Sequence, residues 1–191
     1  MPLPDILDFA HTLATGALRP GDVAVDATIG NGHDTLALAR AVGPDGRVYG
    51  VDVQSAALSS TRERLTTAGV ADRVRLRQAG HEDLAEHLPD RLHGAVGAVT
   101  FNLGYLPGGD RTSPTTPETT LPALDAALRL LRPGGVATVV LYTGHPGGAD
   151  EAAAVEAWAA DLPRSRAEVL SYRFLNRPND PPRLLALEAQ S

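Results

Sequence analysis

Residues 25–35 read Val25-Asp-Ala-Thr-Ile-Gly-Asn-Gly-His-Asp-Thr35, and this stretch decides the fold of the chain. A β-branched run that begins at Val23 precedes the turn Gly30-Asn31-Gly32, and a helix-compatible segment follows at 34–41. Glycines let the backbone approach a ligand closely, and the first turn of a helix offers free N–H groups. The order strand, glycine turn, helix therefore predicts a nucleotide-cofactor site, and we expect the rest of the chain to serve that site.

Composition narrows the chemistry that this chain can perform. The 191 residues suit one domain with a sizeable core, and no apolar run approaches a membrane span or forms a signal peptide, so we expect a cytoplasmic protein. There is no Cys, which excludes disulfides, thiolate zinc sites and cysteine nucleophiles. There is also no Lys, which excludes Schiff-base chemistry and the lysine of a phosphate-binding P-loop. A net charge of −6 does not favour strong non-specific binding to nucleic acid.

Strands and helices alternate along the chain, and two adjacent strands close it. The predicted strands span 23–28, 47–53, 74–78, 97–103, 136–142, 166–175 and 183–188. Alternation favours a parallel, doubly wound α/β sheet that binds ligands at the carboxyl ends of its strands, and a closing hairpin adds an antiparallel strand. This Rossmann-like arrangement resembles the seven-stranded, mostly parallel sheet of class I methyltransferases, with an antiparallel C-terminal strand. We predict a single domain over 1–191 with a leading helix within 1–20.

Two segments rich in Gly and Pro interrupt the pattern. Residues 132–135, Arg-Pro-Gly-Gly, are expected to form a turn before the fifth strand. Residues 104–118 are dense in Gly, Pro, Ser and Thr, and a loop of that length in a compact domain is usually functional. We therefore predict that 104–118 is an active-site loop.

The glycine turn departs from a dinucleotide fingerprint. G-x-G-x-x-G is matched by Gly30 and Gly32, but the third position is Thr35, and Asp26 lies in the strand before the turn. A carboxylate is poorly placed beside a pyrophosphate but well placed beside a cation. S-adenosylmethionine (SAM) carries a sulfonium and an ammonium and no phosphate. We therefore favour SAM over NAD, with Asp52 accepting hydrogen bonds from the ribose hydroxyls.

Two further acidic residues are also compatible with SAM, although purely structural roles for the acids near the turn are alternatives. Glu82 and Asp83 follow the third strand and are expected near the adenine. Alternatively, Asp26 caps the turn and Asp52 is a solvated strand end. The sequence leaves these alternatives open.

The methyl acceptor is expected at the end of the fourth strand, which reads Phe101-Asn102-Leu103-Gly104-Tyr105. The carbonyl of Asn102 can accept an N–H, and Tyr105 offers a flat face to a base. This pattern loosely resembles the Asn-Pro-Pro-Tyr signature of amino-group methyltransferases, although a strand-end Asn can also be structural. His145 and Asp110 are candidate proton acceptors.

The remaining polar residues carry weaker signals. The histidines show no metal-ligand pair at i, i+4, so we predict no metal site. Five arginines gather late in the chain and form either a solvated face or a phosphate-binding surface for RNA. They are Arg164, Arg166, Arg173, Arg177 and Arg183.

Several motifs together resemble one family over most of the chain. They are DATIGNGHDT, GHEDL, FNLGYLPGGD, YTGHPGG and NRPNDPP. They resemble the rRNA methylase family of small class I SAM-dependent methyltransferases, whose members include the MnmM-type tRNA methyltransferases. The resemblance implies methylation of the aminomethyl nitrogen of the wobble uridine in the tRNA anticodon, which converts 5-aminomethyl-2-thiouridine to its methylaminomethyl form.

The resemblance also implies a set of site residues. Those implied at SAM are Asp26, Thr28, Gly30, Asn31, Gly32, His33, Asp34, Thr35, Asp52, Gln54, Glu82, Asn102, Leu103 and Gly104. Those implied at the acceptor are Asn102, Tyr105, Asp110, Tyr142, His145 and Asn176, of which Asn102, Tyr105 and His145 are the catalytic candidates. A small-molecule amine methyltransferase, an rRNA methyltransferase and a non-catalytic SAM-binding protein are alternatives, and a homodimer is left open.

Overall fold

A seven-stranded sheet forms the centre of the computed structural model, which describes residues 3–104 and 115–191. The strands are β1 (Val23–Asp26), β2 (Arg47–Asp52), β3 (Val74–Gln78), β4 (Val96–Leu103), β5 (Leu131–Leu141), β6 (Ala167–Tyr172) and β7 (Arg183–Ala189). Their order is β3-β2-β1-β4-β5-β7-β6. The first five strands are parallel, and β7 runs antiparallel to both β5 and β6. The predicted fold class is confirmed, including the antiparallel C-terminal strand.

Helices cover both faces of this sheet. They are α1 (Ile6–Gly16), α2 (His33–Ala41), α3 (Ser55–Thr67), α4 (Pro117–Leu130) and α5 (Gly148–Ala160). The first three pack on one face, and α4 and α5 pack on the other together with a 3-10 segment at His81–His87. Among the residues described, no helix is both long enough and apolar enough to cross a bilayer.

The continuously apolar sequence of β4 reflects its burial on both faces of the sheet. A strand with helices on both faces is buried on both sides, so its sequence is continuously apolar. All of β4 is buried except Asn102, which is half-buried near its carboxyl end. The polar residue thus marks the place where the strand leaves the core and reaches a solvent-accessible edge.

The expected turn at 132–135 is wrong, because β5 already begins at Leu131. Leu131 pairs with Val96, and the register then shifts before Ala98 pairs with Val136. Gly134 adopts a φ of +71° in this irregular stretch. The glycines therefore kink a continuous strand rather than begin it, as in a β-bulge.

The glycine turn between β1 and α2 is sterically demanding. Gly30 and Gly32 have φ values of +52° and +74°, and Gly32 is the N-cap of α2. A Cβ added at Gly32 would lie 2.4 Å from the hydroxyl oxygen of the buried Thr61 on α3. Position 32 thus needs glycine for its backbone conformation and for the close approach of α3.

We expect Gly32→Ala to lower the free energy of unfolding by roughly 2–4 kcal/mol, since backbone strain and overpacking add at this position. Gly134→Ala, which shares the positive φ but whose added Cβ meets no described atom within 4 Å, should lose only about 1 kcal/mol. Chemical denaturation of the two variants and the wild type measures the difference.

Gly16→Ala is the matched control, because its added Cβ also meets no described atom within 4 Å and its φ is not positive. It should leave stability unchanged or slightly raised. Equal losses for Gly32→Ala and Gly134→Ala would contradict the role given to Thr61.

Candidate active site

One cavity of about 850 Å³ opens at the carboxyl ends of β1, β2, β4 and β5. This is the edge where open α/β sheets bind ligands, and the volume suits a cofactor. Most of the described candidate residues line it. They are Thr28, Gly30, Asn31, His33, Asp34, Asp52, Gln54, Glu82, Asn102, Gly104, Tyr142 and His145.

Asp52 joins the glycine turn to the end of β2. One carboxylate oxygen accepts the Gly30 N–H at 2.8 Å, and the other accepts the Gln54 N–H at 2.9 Å. Each carboxylate oxygen has a second lone pair, so both can still accept a hydroxyl from a ligand. Asp52 therefore fixes the turn and faces the cavity, which a solvated strand end would not do.

Asp26 lies behind the cavity wall. It is fully buried, and its carboxylate accepts hydrogen bonds from the Thr35 hydroxyl and the Thr28 N–H. Burial, reinforced by repulsion from Asp34, raises the pKa of Asp26 to about 7. The carboxyl group thus supports the turn from below, as the capping alternative anticipated, and its direct contact with a ligand stays a prediction. Thr35 is likewise buried as its partner.

Three other described candidates also lie away from the cavity wall. Gly32 is buried against α3, and Leu103 points into the core. Asn176 is exposed in the segment between β6 and β7 and is not part of the wall. Their direct contact with a ligand stays a prediction. Tyr105 and Asp110 lie outside the described residues.

The end of β4 carries a chain of three polar side chains. The amide nitrogen of Asn102 donates to one Asp34 oxygen at 2.7 Å, and His11 Nε2 lies 2.5 Å from the other. Burial alone would raise the pKa of Asp34, but hydrogen bonds from His11 and Asn102 outweigh it and hold this pKa below its ordinary value. Because its nitrogen points to Asp34, Asn102 presents its carbonyl oxygen as the acceptor for a ligand.

The wall of the cavity is acidic. Four carboxylates line it, on Asp8, Asp34, Asp52 and Glu82, and over the described part of the chain it includes no Arg or Lys. Such a wall attracts cations and repels phosphate. The charge pattern therefore favours SAM over NAD, whose pyrophosphate is anionic.

The two ends of the cavity differ in character. Exposed Val53 joins Ala79, buried His81 and Glu82 beyond β2 and β3, at the end where we place the adenine. Burial lowers the pKa of His81, so its ring is neutral at physiological pH. Asp83 is exposed and is not part of the wall.

The opposite end lies beside β5. Tyr142 and His145 line it together with Gly104, and an added Cβ at Gly104 would lie 3.5 Å from the His145 ring. Burial raises the pKa of Tyr142, and the nearby Asp34 raises it further. Tyr142 is therefore a neutral hydroxyl at physiological pH. This end is suited to an acceptor molecule.

A buried carboxylate outside the cavity organises its rim. Glu151 on α5 accepts the Thr115 hydroxyl at 2.7 Å and the Thr120 hydroxyl at 2.6 Å. Thr120 also lies 3.4 Å from His81 Nε2, and the Thr115 N–H donates to the Gly104 carbonyl at 3.0 Å. Glu151 therefore links α4, α5 and both sides of the cavity rim.

Four of the five late arginines are engaged with carboxylates. Arg164 pairs with Glu168, Arg166 with Asp125, Arg177 with Asp5, and Arg183 with Glu156 and Asp180. Exposed ion pairs contribute little to stability, but they neutralise charge. The structure therefore favours the solvated face over a free phosphate-binding surface.

Several residues that line the cavity were not predicted from the sequence. Leu7, Asp8 and His11 come from α1, Thr119 lies in the first turn of α4, and Thr115 lies two residues before that helix begins. Leu7 and His11 are four residues apart and so share a helix face, which was an available signal. Within 3–104 and 115–191, no three His, Asp or Glu side chains are grouped as a metal site.

The fold and site together define a class I SAM-dependent methyltransferase. The strand order, the glycine turn and Asp52 at the end of β2 carry this assignment. The model of the family described as "Putative rRNA methylase" matches residues 48–188, and the chain belongs to that family.

Two solved structures are similar to this chain in both sequence and fold. A "putative rRNA-methylase" from Clostridium thermocellum is 39% identical with a TM-score of 0.94, and the match covers 99% of this chain and 100% of that one. A "putative methyltransferase" from Streptococcus mutans, solved in complex with SAH, is 33% identical with a TM-score of 0.88, covering 98% and 99%.

A plant protein extends the comparison to a named substrate. A chloroplastic tRNA (mnm(5)s(2)U34)-methyltransferase of Arabidopsis thaliana is 41% identical over 182 residues. The match covers 91% of this chain and 66% of the plant protein, so this chain spans just under two thirds of that relative's length.

We expect Asp52→Asn to weaken SAM binding by roughly 1.5–3 kcal/mol, because the substitution removes a charged acceptor from the turn and the ribose site. Isothermal titration calorimetry measures the affinity. Asp45→Asn removes the same charge from an exposed position and is the matched control. Equal affinities in the two variants would remove Asp52 from the cofactor site.

The raised pKa of Asp26 predicts a pH-dependent stability. The contribution of the protonated Asp26 side chain to the free energy of unfolding is fully present below the unfolded-state pKa of 3.8. It is lost as pH rises through the folded-state pKa of about 7. Asp26→Asn keeps the shape and cannot ionise, so relative to wild type it should gain up to about 4 kcal/mol between pH 4 and pH 8. Urea unfolding across this range tests it, and a constant difference in stability between the two proteins would refute the raised pKa of Asp26.

Proposed function

We propose that this chain transfers the methyl group of SAM to the aminomethyl nitrogen of 5-aminomethyl-2-thiouridine at the wobble position of tRNA. The observation that carries the proposal is the acidic cavity with Asn102 and Asp34 side by side at the end of β4. An amine is attracted to such a wall as a cation. The name of the Arabidopsis relative contains mnm(5)s(2)U34, which is the methylaminomethyl product of the proposed reaction.

The proposed cofactor pose follows the wall of the cavity. Asp52 and Gln54 take the ribose, and the adenine lies toward Val53 and Glu82. The methionine part lies over the glycine turn near Asp34. The reactive methyl then points toward Asn102 at the neighbouring strand end.

The reaction is an in-line displacement that depends on alignment. The ammonium group of the substrate first releases one proton to water. The lone pair of the neutral amine then attacks the methyl carbon, and the carbon–sulfur bond breaks with its electrons passing to sulfur. The product is a secondary ammonium ion, which releases a proton to water or stays protonated. The Asn102 carbonyl oxygen accepts an N–H of the amine and so directs its lone pair toward the methyl group.

The partner in this proposal is the anticodon region of tRNA. The cytoplasmic location, the single domain over 1–191, the active-site role of 104–118 and the homodimer stay predictions. The Arabidopsis relative is described as chloroplastic, so relatives are not confined to one compartment.

A small-molecule amine is the second candidate acceptor. The observation that favours it is the pairing of four of the five late arginines with carboxylates, which reduces the positive charge that they offer to phosphate. An rRNA acceptor and a protein that binds SAM without transferring its methyl group are further alternatives.

Purified protein should methylate tRNA that carries 5-aminomethyl-2-thiouridine when SAM is present. Mass spectrometry of the digested nucleosides would show the aminomethyl form converted to the methylaminomethyl form. Turnover of free amines with no product on tRNA would support the small-molecule alternative and refute the proposed tRNA acceptor. Product on rRNA alone would move the assignment to rRNA.

Asn102→Ala separates chemistry from cofactor binding in the same assay. Losing one hydrogen bond to the reacting amine should lower kcat roughly tenfold or more. The affinity for SAM, measured by calorimetry without the acceptor, should change less than about threefold, because the lost hydrogen bond is made to the amine and not to the cofactor. Equal losses of kcat and affinity would make Asn102 a structural residue.

A further inference from the structure

Helix α1 lies outside the alternating strand–helix unit and yet reaches the cavity. Ile6 and Ala10 on one side of the helix pack against Val140 of β5 and Leu184 of β7. His11 is turned toward the cavity, where it is half-buried. The packing of α1 on the sheet therefore fixes the position of His11 relative to the strand ends.

His11 begins a chain of contacts that ends at the proposed acceptor site. His11 Nε2 lies 2.5 Å from Asp34 Oδ1, and Asp34 Oδ2 accepts from the Asn102 amide at 2.7 Å. The three side chains come from α1, α2 and β4, so no local sequence constraint forces them together. All three also line the cavity.

We propose that His11 is a positioning residue, which holds the Asp34 carboxylate so that Asp34 orients the Asn102 amide with its carbonyl oxygen toward the methyl acceptor. This inference rests on the proposed function. His11 acts through Asp34 and does not itself touch the reacting atoms.

The physical reason lies in the bonding of a carboxylate and an amide. A carboxylate only accepts hydrogen bonds, so Asp34 can bind the nitrogen of Asn102 but not its oxygen. Without His11, one Asp34 oxygen faces the cavity with no fixed donor, and the carboxylate can rotate or take the incoming amine itself. In both cases the Asn102 amide loses its fixed orientation.

The charges around the pair sustain it over a broad pH range. The hydrogen bond to Asp34 raises the pKa of His11, burial opposes this, and the charges of Asp34, Asp8 and Asp26 raise it further. The pKa of Asp34 is lowered, and Asp26 and His33 are the other titratable side chains near it. Tyr142 also faces Asp34 and remains neutral. Because the pKa of Asp34 is lowered and that of His11 is raised, the ion pair persists over a wider pH range than an unperturbed Asp and His would give.

A double-mutant cycle tests the inference on tRNA methylation. His11→Ala should lower kcat roughly tenfold to a hundredfold, the range expected when a reacting group is misplaced. His11→Gln, which keeps a donor, should recover part of that loss. In an Asp34→Asn background, His11→Ala should cause little further loss, because the residue through which His11 acts has already changed. Thr12→Ala, an exposed substitution on the same helix, is the control.

Three outcomes would overturn the inference. The first is an unchanged kcat in His11→Ala. The second is the same fold-loss in both backgrounds, which would indicate that His11 only stabilises α1. The third is a loss of SAM affinity as large as the loss of kcat, which would make His11 a cofactor-binding residue.

Nuclear magnetic resonance provides a readout that needs no turnover. The His11 imidazole should titrate at a higher pH in the wild type than in Asp34→Asn. The Asn102 side-chain amide should exchange with solvent faster in His11→Ala than in the wild type. If the wild type methylates no tRNA, the proposed function fails, and these two signals still decide the inference. Unchanged signals would refute it.

Discussion

The buried carboxylate of Asp26 is the constraint on which the site depends. It has no contact with water, and the Thr35 hydroxyl and the Thr28 N–H satisfy it from within. Leaving a buried polar group without partners costs free energy, so these bonds hold β1 and α2 in one arrangement. The glycine turn between them is then fixed, and with it the position of Asp34 in the cavity wall. Asp52 completes the frame from the neighbouring strand.

The fold followed from the sequence because its signals are local. Continuous apolar runs such as β4 and the alternation of strands and helices need no knowledge of distant contacts. The turn at 132–135 was mispredicted, because Gly and Pro mark a bulge inside a strand as well as a turn before it. Deciding between them requires the pairing with Val96 and Ala98, which is not a local property.

The site was predictable in its position but less so in its contacts. The strand ends gave Asp52 and Asn102, and both line the cavity. The sequence left open whether Asp26 faces a ligand or caps the turn, because a strand-end side chain points up or down according to the pleat and its partner. Asn102 and Asp34 are 68 residues apart, and His11 lies on a helix whose docking depends on β5 and β7. Such contacts arise only after the layers have packed.

The bonds at the rim of the cavity also bear on how this site can diversify. The Thr115 N–H donates to the Gly104 carbonyl, and Glu151 holds the Thr115 hydroxyl from α5. Gly104, just after β4, and Thr115, just before α4, are thus held together by a direct backbone hydrogen bond. Changing the number of residues in a closed loop adds little entropy cost, since that cost grows only with the logarithm of loop length. Evolution can therefore lengthen or rewrite the sequence between these two anchors without disturbing the glycine turn and Asp52.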